Sequence, residues 1–226
     1  MACFGVQISM ILVPVKNLAN AKQRLASVLD QATRAELAQA MLHDVLDALA
    51  ACCGNSEVSL VTSDPFALDL AQAFSFQVIP DATNRSETDA IEMATQLCES
   101  RGVESTLVIP ADIPLIQPLE VTEILQAAPE KGSVLVPAAD RRGTNAVLRR
   151  PAALFPLRFG NDSFKPHLAA ARASGKPCVV LSLPGIALDI DKPSDLAALA
   201  SAPGETRTQH LIRQWNVSEL PVAANE

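Results

Sequence analysis

The segment SMILVPV, residues 9–15, decides the fold class of this sequence. It is a nearly continuous apolar run, which is typical of a strand buried on both faces of a parallel sheet. Residues 31–53 follow with helix-forming side chains, among which apolar residues recur at helical spacing. Because strands and helices keep alternating along the chain, the sequence predicts an α/β fold with a mostly parallel, doubly wound sheet.

The other predicted elements continue this alternation. We expect strands at residues 57–62, 76–79, 106–110, 133–137, 144–148, 178–183 and 186–190. We expect helices at residues 65–73, 87–101, 119–128, 163–174 and 193–200. Leu211, Ile212 and Trp215 indicate one more amphipathic segment. Without a repeat or a linker, the sequence predicts one domain over residues 1–226, with a core at about residues 6–202 and a helical tail at about residues 205–226.

Composition excludes several classes of protein. The chain has 18 Lys and Arg against 25 Asp and Glu, a net charge of −7, and this balance argues against a nucleic-acid binder. Its five cysteines show no C-x-x-C spacing, which argues against a zinc site or a disulfide framework and favours a reducing cytosol. No apolar run approaches the roughly 20 residues that span a bilayer. We therefore expect a cytoplasmic protein that binds neither nucleic acid nor membranes, with a homodimer as one option for its assembly.

Carboxylates follow the predicted strands where ligands bind in open α/β sheets, at the carboxyl ends. Asp112 follows a central strand, and Asp189 and Asp191 would share one face of the strand at 186–190, because the side-chain period of a strand is two. Three carboxylates without a histidine cluster suit Mg²⁺ rather than zinc. The alternatives are a turn role for Asp112 and a helix N-cap role for Asp191.

Basic side chains follow the first strand. This strand runs through Pro14 and Val15 into Lys16, and Lys22 and Arg24 lie in the loop that comes next. At the carboxyl edge of the sheet these residues are candidates for nucleotide binding. A solvated surface lysine is the alternative for Lys16.

Two later segments are candidate anion sites. Residues 142–145 (RGTN) place a glycine beside the small hydrogen-bonding side chains of Thr144 and Asn145. Residues 159–164 (FGNDSF) lead into a helix start, where free backbone N–H groups and the helix dipole attract phosphate. The alternative for the second segment is an ordinary turn at Gly160 followed by an N-cap at Asp162 or Ser163.

The order of these segments resembles a known family. It is the order in which CofC/FbiD-type guanylyltransferases, which act on 2-phospho-L-lactate or phosphoenolpyruvate in coenzyme F420 biosynthesis, carry such motifs. The segments are ILVPVKNLANAKQRL (11–25), IPADIPL (109–115), RRGTNAVL (141–148), FGNDSFKPHLAAA (159–171) and LDIDKPSDL (188–196). The resemblance covers about residues 8–200 and implies a Rossmann-like sheet of the nucleotide-diphosphosugar transferase type.

The resemblance also implies an activity and its residues. GMP would pass from GTP to a small phosphorylated hydroxy acid, namely 2-phospholactate, phosphoenolpyruvate or 3-phosphoglycerate, with release of pyrophosphate. The implied ligands of the cofactor Mg²⁺ are Asp112, Asp189 and Asp191. The implied acceptor-binding residues are Thr144, Asn145, Gly160 and Ser163. Lys16 would approach the nucleotide phosphates and act with Asp112 in catalysis.

One short segment departs from the family pattern. Ser86, Glu87 and Thr88 stand where the family has Gly-Leu-Asn close to the nucleotide base. Ser86 and Thr88 are able to bond a base or a phosphate, which would alter base preference. A capping box formed by Ser86 and Asp89 explains the same residues without a ligand.

Three other functions fit parts of the pattern. A nucleotidyltransferase that uses another NTP or acceptor, of the sugar-phosphate or molybdopterin type, is the closest rival, although residues 17–23 lack the glycine-rich loop common in such enzymes. A glycosyltransferase would use Asp189 and Asp191 as a metal-binding Asp-x-Asp pair. A non-catalytic nucleotide-binding relative would explain the departure at residues 86–88.

Overall fold

Seven strands form one sheet in the computed structural model, which describes residues 9–81, 86–160 and 162–215. They are β1 (Ser9–Val15), β2 (Val58–Thr62), β3 (Gln77–Pro80), β4 (Ser105–Val108), β5 (Gly132–Pro137), β6 (Thr144–Arg150) and β7 (Cys178–Val180). Their order in the sheet is β3-β2-β1-β4-β6-β5-β7. Strand β6 is antiparallel to both neighbours, and the other pairs are parallel. The predicted mostly parallel sheet is confirmed.

Helices cover both faces of the sheet. They are α1 (Gln31–Cys52), α2 (Pro65–Phe74), α3 (Glu87–Ser100), α4 (Pro118–Ala127), α5 (Phe164–Ala173), α6 (Pro184–Ala187), α7 (Pro193–Ser201) and α8 (Arg207–Gln214). Acidic N-caps begin the first two, since Asp30 accepts the N–H of Thr33 and Asp64 accepts that of Ala67. No helix in these described segments is both long and apolar enough to cross a membrane.

Strand β1 is buried on both faces, as its apolar run predicts. Ile11 and Val13 belong to one core, together with residues of α1, α4 and α7. Met10 and Leu12 belong to a second core on the opposite face, built largely from α3, α5 and the segment before α5. Burying one Leu or Ile side chain contributes about 1.5–3 kcal/mol, so both helical layers hold this strand in place.

The topology opens a crevice beside β1. The chain adds β2 and then β3 on one side of β1, and returns to the other side to form β4. Between β1 and β4 the loops at the carboxyl ends therefore leave in opposite directions, which is where open α/β sheets bind ligands. The predicted site residues lie in two kinds of place. Some are at or after the carboxyl ends of β1 and β4, and the others are at or just before the starts of α3, β6, α5 and α7.

Helix α8 is held against α1 by a buried carboxylate. Asp44 of α1 accepts hydrogen bonds from the backbone N–H groups of Arg207 and Thr208, at 2.8 and 2.9 Å. It also accepts one from the Thr208 hydroxyl. The predicted tail therefore includes a docked helix, while its residues 216–226 lie outside the described residues, as do residues 6–8 of the predicted core.

Most predicted elements match to within two residues, but the strand predicted at residues 186–190 is wrong. Helix α6 occupies Pro184–Ala187, with Pro184 in its first turn, and the residues after it form no strand. Single backbone bonds replace a ladder: Ala139 donates to Ala187 O at 2.8 Å, and Ile190 donates to Asp112 O at 3.1 Å. The strand predicted at residues 178–183 ends early, at Val180.

Candidate functional site

A buried lysine joins two of the predicted carboxylates at the β1–β4 edge. Lys22 Nζ lies 2.6 Å from Asp112 Oδ2 and 2.9 Å from Asp191 Oδ1. The Lys22 side chain is 9% exposed, whereas that of Asp191 is 39% exposed and also contacts Arg24 Nη1 at 3.2 Å. Burial alone would lower the pKa of Lys22, but the two carboxylates outweigh it and raise the pKa above its ordinary value.

The loop after β1 gives Lys22 its position. Two short 3-10 turns, Leu18–Asn20 and Gln23–Leu25, flank Lys22, which has the left-handed backbone angles φ 55° and ψ 44°. Asn17 caps the first turn, and Leu18 N donates to Asp64 Oδ2 at 2.9 Å. The loop is thus tied to the start of α2, which follows β2 at the same carboxyl edge of the sheet that Lys22 reaches.

The third predicted carboxylate is held by an amide. Asn145 Nδ2 donates to Asp189 Oδ1 at 3.0 Å and to the carbonyl oxygen of Ile186, also at 3.0 Å. Burial, together with the nearby Asp112, raises the pKa of the Asp189 carboxyl, although the hydrogen bond from the Asn145 side chain lowers it. Asn145, which was predicted to bind the acceptor, therefore orients Asp189 as well as lining the cavity described below.

The donor set at this edge suits Mg²⁺ in kind, because it consists of carboxylate oxygens. Lys22 bridges Asp112 and Asp191 with a positive charge between them, so the pair already accommodates a cation. Among the described residues, however, no three His, Cys, Asp or Glu side chains converge as a metal-binding cluster. The three-carboxylate magnesium site stays a prediction. Asp191 is not an N-cap; Asp195 accepts the N–H groups of Asp191 and Lys192 instead.

Two cavities meet at this charged centre. The first cavity, of about 440 Å³, lies between the loop after β1 and the start of α3 and is mostly apolar. Its lining includes Val15, Lys16, Lys22, Ala38, Met41 and Glu87. Pro14, which was predicted for the nucleotide site, precedes it within β1. The volume and the two lysines suit a nucleotide.

The second cavity, of about 530 Å³, is polar and lies between the β5–β6 turn and the start of α5. It brings together all four residues predicted to bind the acceptor, namely Thr144, Asn145, Gly160 and Ser163. Gly160 has φ +125°, which favours glycine, and Ser163 makes no side-chain capping bond. The cavity also contains Arg24 and Arg142, the cations that an anionic ligand requires. Asn161 lies outside the described residues.

Glu87 lines both cavities at the N-terminus of α3. Burial and the charge of Asp112 raise the pKa of its carboxyl to about 7, although Lys22 and Lys16 counteract them. The sequence singled out this position only as part of a departure from the family pattern. Its place between the cavities is a tertiary feature.

The side chains beside Glu87 have structural partners. Ser86 Oγ accepts the N–H of Asp89 at 3.0 Å, so Ser86 is the N-cap of α3, as predicted. The return bond runs from the Ser86 hydroxyl to Asp89 Oδ2 at 2.8 Å, whereas the predicted capping box would use the Ser86 backbone N–H. Thr88 Oγ1 accepts the N–H of Phe159 at 3.0 Å, which fastens α3 to the loop before α5. Of the two hydroxyls predicted for the nucleotide site, only Ser86 lines the first cavity.

Lys16 is not a solvated surface lysine. It forms an ion pair with Asp81, a 2% exposed carboxylate that follows β3, and it lines the first cavity. Asp81 was not among the predicted site residues, although its position directly after a strand is a signal that could have found it. The pair connects the carboxyl ends of β1 and β3 across β2.

Two further contacts fix the second cavity. Arg142 and Asp162, two exposed residues that line it, form a bidentate ion pair at 2.6 and 3.2 Å. Behind one of its lining residues, Thr144, the buried His167 has its Nδ1 3.0 Å from Thr144 Oγ1. His167 lies within the helix predicted at residues 163–174, and the spacing of histidines along the chain does not reveal which side chain it meets.

The chain is similar to known proteins along most of its length. Residues 9–224 match the family described as "Guanylyl transferase CofC like". Phosphoenolpyruvate guanylyltransferases of Roseiflexus castenholzii and Rubrobacter xylanophilus are 36% and 38% identical, over 90% and 85% of this chain and 93% and 94% of their own lengths. The 2-phospho-L-lactate guanylyltransferase of Methanothermobacter thermautotrophicus is 30% identical over 93% of this chain and 92% of its own.

A solved structure shows the same fold. A protein of Desulfovibrio desulfuricans G20 that is described as a nucleotide-diphospho-sugar transferase superposes with a TM-score of 0.75 at 20% identity, covering 92% of this chain and 95% of that one. The predicted type of sheet is therefore confirmed. Because the family match spans nearly all of the chain and the relatives match along most of both lengths, this protein belongs to the CofC-like guanylyl transferase family and is a nucleotidyltransferase.

Proposed function

We propose that this protein transfers GMP from GTP to phosphoenolpyruvate or 2-phospholactate and releases pyrophosphate, with 3-phosphoglycerate as a third candidate acceptor. The observation that carries the proposal is the meeting of two unlike cavities at Asp112 in a member of this family. The first cavity, with Ala38 and Met41, suits a base and ribose. The second, with Thr144 and Ser163, suits a phosphorylated acid.

The proposed reaction is an in-line displacement at phosphorus. An oxygen of the acceptor phosphate attacks the α-phosphorus of GTP, the bond from that phosphorus to the bridging oxygen breaks, and pyrophosphate leaves with the electron pair. A phosphate monoester is largely ionised near pH 7, because its second pKa is about 6. No protein group has to remove a proton, and the chain's main tasks are to position two anions and to neutralise their charge.

The cations of the site divide this work in the proposed mechanism. Lys16, in the first cavity, would face the nucleotide phosphates and offset charge on the leaving pyrophosphate. Arg24 would approach the reacting phosphates from the second cavity. Mg²⁺, with Asp112, Asp189 and Asp191 as proposed ligands, would supply further neutralisation of phosphate oxygens.

A matrix of substrates tests this proposal. Pyrophosphate release is measured for four NTPs against phosphoenolpyruvate, 2-phospholactate and 3-phosphoglycerate, with Mg²⁺ and with EDTA. We expect release with GTP and at least one of the first two acids, and none with EDTA. Absence of pyrophosphate release from every pair would overturn the transferase proposal. A strong preference for another NTP would overturn the proposal that GTP is the donor.

A matched pair of substitutions tests the role of Asp112. Asp112→Asn keeps the size of the side chain but removes its charge, and we expect it to lower kcat by a factor of about 100 or more. Asp69→Asn makes the same change on the exposed face of α2 and should leave kcat unchanged. Equal rates for the two variants would remove Asp112 from the mechanism.

A further inference from the structure

Both ring nitrogens of His167 have a partner, and the partners fix where its proton lies. Nε2 lies 2.8 Å from the backbone N of Arg158, and Nδ1 lies 3.0 Å from Thr144 Oγ1. A backbone N–H only donates, so Nε2 accepts and carries no hydrogen. The neutral ring therefore holds its proton on Nδ1, which donates to the Thr144 hydroxyl oxygen.

The surroundings keep His167 neutral. The residue is 1% exposed in helix α5, and Phe159 packs edge-on against its ring at 5.2 Å. Burial and the charge of Arg149 lower the pKa of His167 to about 4. A doubly protonated ring would also clash with the Arg158 N–H, because two donors would face each other. The tautomer with hydrogen on Nδ1 is thus the form present at neutral pH.

This tautomer determines what Thr144 offers a ligand. Since Thr144 Oγ1 accepts from His167, its own hydrogen is directed elsewhere. Ser163 Oγ, at 3.4 Å from Thr144 Oγ1, is at the limit of hydrogen-bond length, and both hydroxyls belong to residues that line the second cavity. The Thr144 hydroxyl hydrogen is therefore available as a donor to an anion there.

We propose that His167 is a positioning residue that turns the Thr144 hydroxyl into a fixed donor for the phosphate group of the acceptor. The chain of bonds runs from the Arg158 N–H through the imidazole to Thr144 and ends in the second cavity. This inference rests on the proposed function, because it assigns the phosphorylated acid to that cavity. It adds a residue that does not itself touch the substrate.

Two substitutions distinguish the contributions of the two ring nitrogens of His167. His167→Asn places an amide NH₂ near the former Nδ1 and keeps a donor for Thr144, whereas His167→Gln places its amide near the former Nε2 and keeps only the partner of Arg158. We expect His167→Gln to raise the KM for phosphoenolpyruvate about tenfold, equivalent to one lost hydrogen bond, with the KM for GTP unchanged. His167→Asn should change the KM for phosphoenolpyruvate less than threefold.

A third variant tests whether the effect runs through Thr144. Thr144→Val removes the hydroxyl but keeps the shape of the side chain, and it should raise the KM for phosphoenolpyruvate as His167→Gln does. Adding His167→Gln to Thr144→Val should then have no further effect, because the donor is already absent. Equal KM changes for the Asn and Gln variants, or additive effects in the double variant, would overturn the positioning role.

A measurement on the unaltered enzyme covers the case in which a variant fails to fold. Nitrogen-15 NMR of the imidazole rings should show His167 with hydrogen on Nδ1 and not on Nε2. Adding phosphoenolpyruvate should shift its Nδ1 signal but not those of His43 and His210, which lie in α1 and α8. A hydrogen on Nε2, or an Nδ1 signal that does not shift when phosphoenolpyruvate is added, would overturn the inference.

The failure of this inference and that of the proposed function give different results. If the unaltered enzyme releases no pyrophosphate with any acceptor, the proposed function fails regardless of the tautomer. If it is active with phosphoenolpyruvate while His167→Gln and Thr144→Val keep its KM, only the positioning role fails.

Discussion

At the scale of single residues, Lys22 combines a strained backbone with a paired side chain. A non-glycine residue in the left-handed region costs about 1–2 kcal/mol, and Lys22 has φ 55°. Its two ion pairs, to Asp112 and Asp191, compensate for that cost inside a site where the carboxylates would otherwise repel each other.

Lys22→Met should therefore reveal the repulsion. Removing the ammonium leaves Asp112 without this ion pair and Asp191 with Arg24, in a partly buried site, and we expect the free energy of unfolding in EDTA to fall by about 2 kcal/mol. Mg²⁺ should restore more stability to this variant than to the unaltered protein, because it replaces the missing cation. Urea unfolding with and without Mg²⁺ measures both effects. Lys176→Met, at an exposed position, is the control, and equal stability of the two variants would contradict the expectation.

His167 should make stability depend on pH. Its pKa is about 4 in the folded protein against an ordinary value of 6.5, so the unfolded chain binds a proton that the folded chain does not. The contribution is complete above pH 6.5 and is lost as the pH falls to about 4. Urea unfolding of the unaltered protein and His167→Asn should show their difference in stability shrink by about 3 kcal/mol over this range. A constant difference would mean that the ring titrates normally.

At the scale of elements, Ser86 at the start of α3 has two candidate roles, capping the helix and binding a nucleotide base. The Ser86 oxygen caps the helix by accepting the Asp89 N–H, and the Ser86 hydroxyl donates to the Asp89 carboxylate. Its hydroxyl therefore has little left to offer a nucleotide base, although the residue lines the first cavity.

Ser86→Ala should destabilise the protein without changing base preference. Loss of the cap costs about 1 kcal/mol, whereas Ser86→Asn keeps a capping side chain and should cost only a small part of that. Thermal unfolding measures the cap, and the ratio of kcat/KM for GTP and ATP measures the base preference. A change in that ratio in the Ala variant would assign Ser86 to base recognition.

The docking of α8 on α1 depends on one carboxylate. Asp44 accepts the first N–H groups of α8, which also places a negative charge at the positive end of that helix. Asp44→Ala should lower the free energy of unfolding by about 2–3 kcal/mol and expose the connection before α8 to proteases. Asp47→Ala removes a neighbouring exposed carboxylate that pairs with Arg207, and should cost less than about 0.5 kcal/mol. Equal losses would show that charge, not the buried bonds, attaches α8.

At the scale of the whole molecule, the net charge of −7 is compatible with phosphate ligands because of how the charges are placed. Asp112, Asp191 and Asp81 are each paired with a lysine at the sheet edge. Lysines and arginines from distant parts of the chain thus face the two cavities. Each cavity is lined by segments that are connected to different strands of the sheet. A bound ligand should therefore stabilise the entire fold.

Ligand-linked stability tests this without turnover. At 100 times its dissociation constant, GTP should add about 2.7 kcal/mol and raise Tm by roughly 5–10 °C for a chain of this size. The same concentration of CTP or UTP should give a much smaller shift if guanine is selected. Equal shifts for all NTPs would contradict base selection, and no shift with any would contradict the nucleotide cavity. Differential scanning fluorimetry with and without phosphoenolpyruvate suffices.

The sequence by itself determined the sheet, nearly all of the helices and the segments that carry the site. These depend on local patterns: the apolar run of β1, the helical spacing in α1, and the position of Asp112 in the segment that follows β4. The strand predicted at residues 186–190 failed for the same reason, since an apolar run alone does not distinguish a buried strand from a short helix and a loop.

Only the tertiary structure decided which side chains meet. Lys22 pairs with Asp112 and Asp191 across 90 and 169 residues of chain, and His167 reaches Thr144 across 23. No periodicity encodes such pairs, because each depends on where two loops or helices lie after the sheet has formed. The chemistry of the site therefore follows from residue types visible in the sequence, but its partners and its proton positions follow from packing.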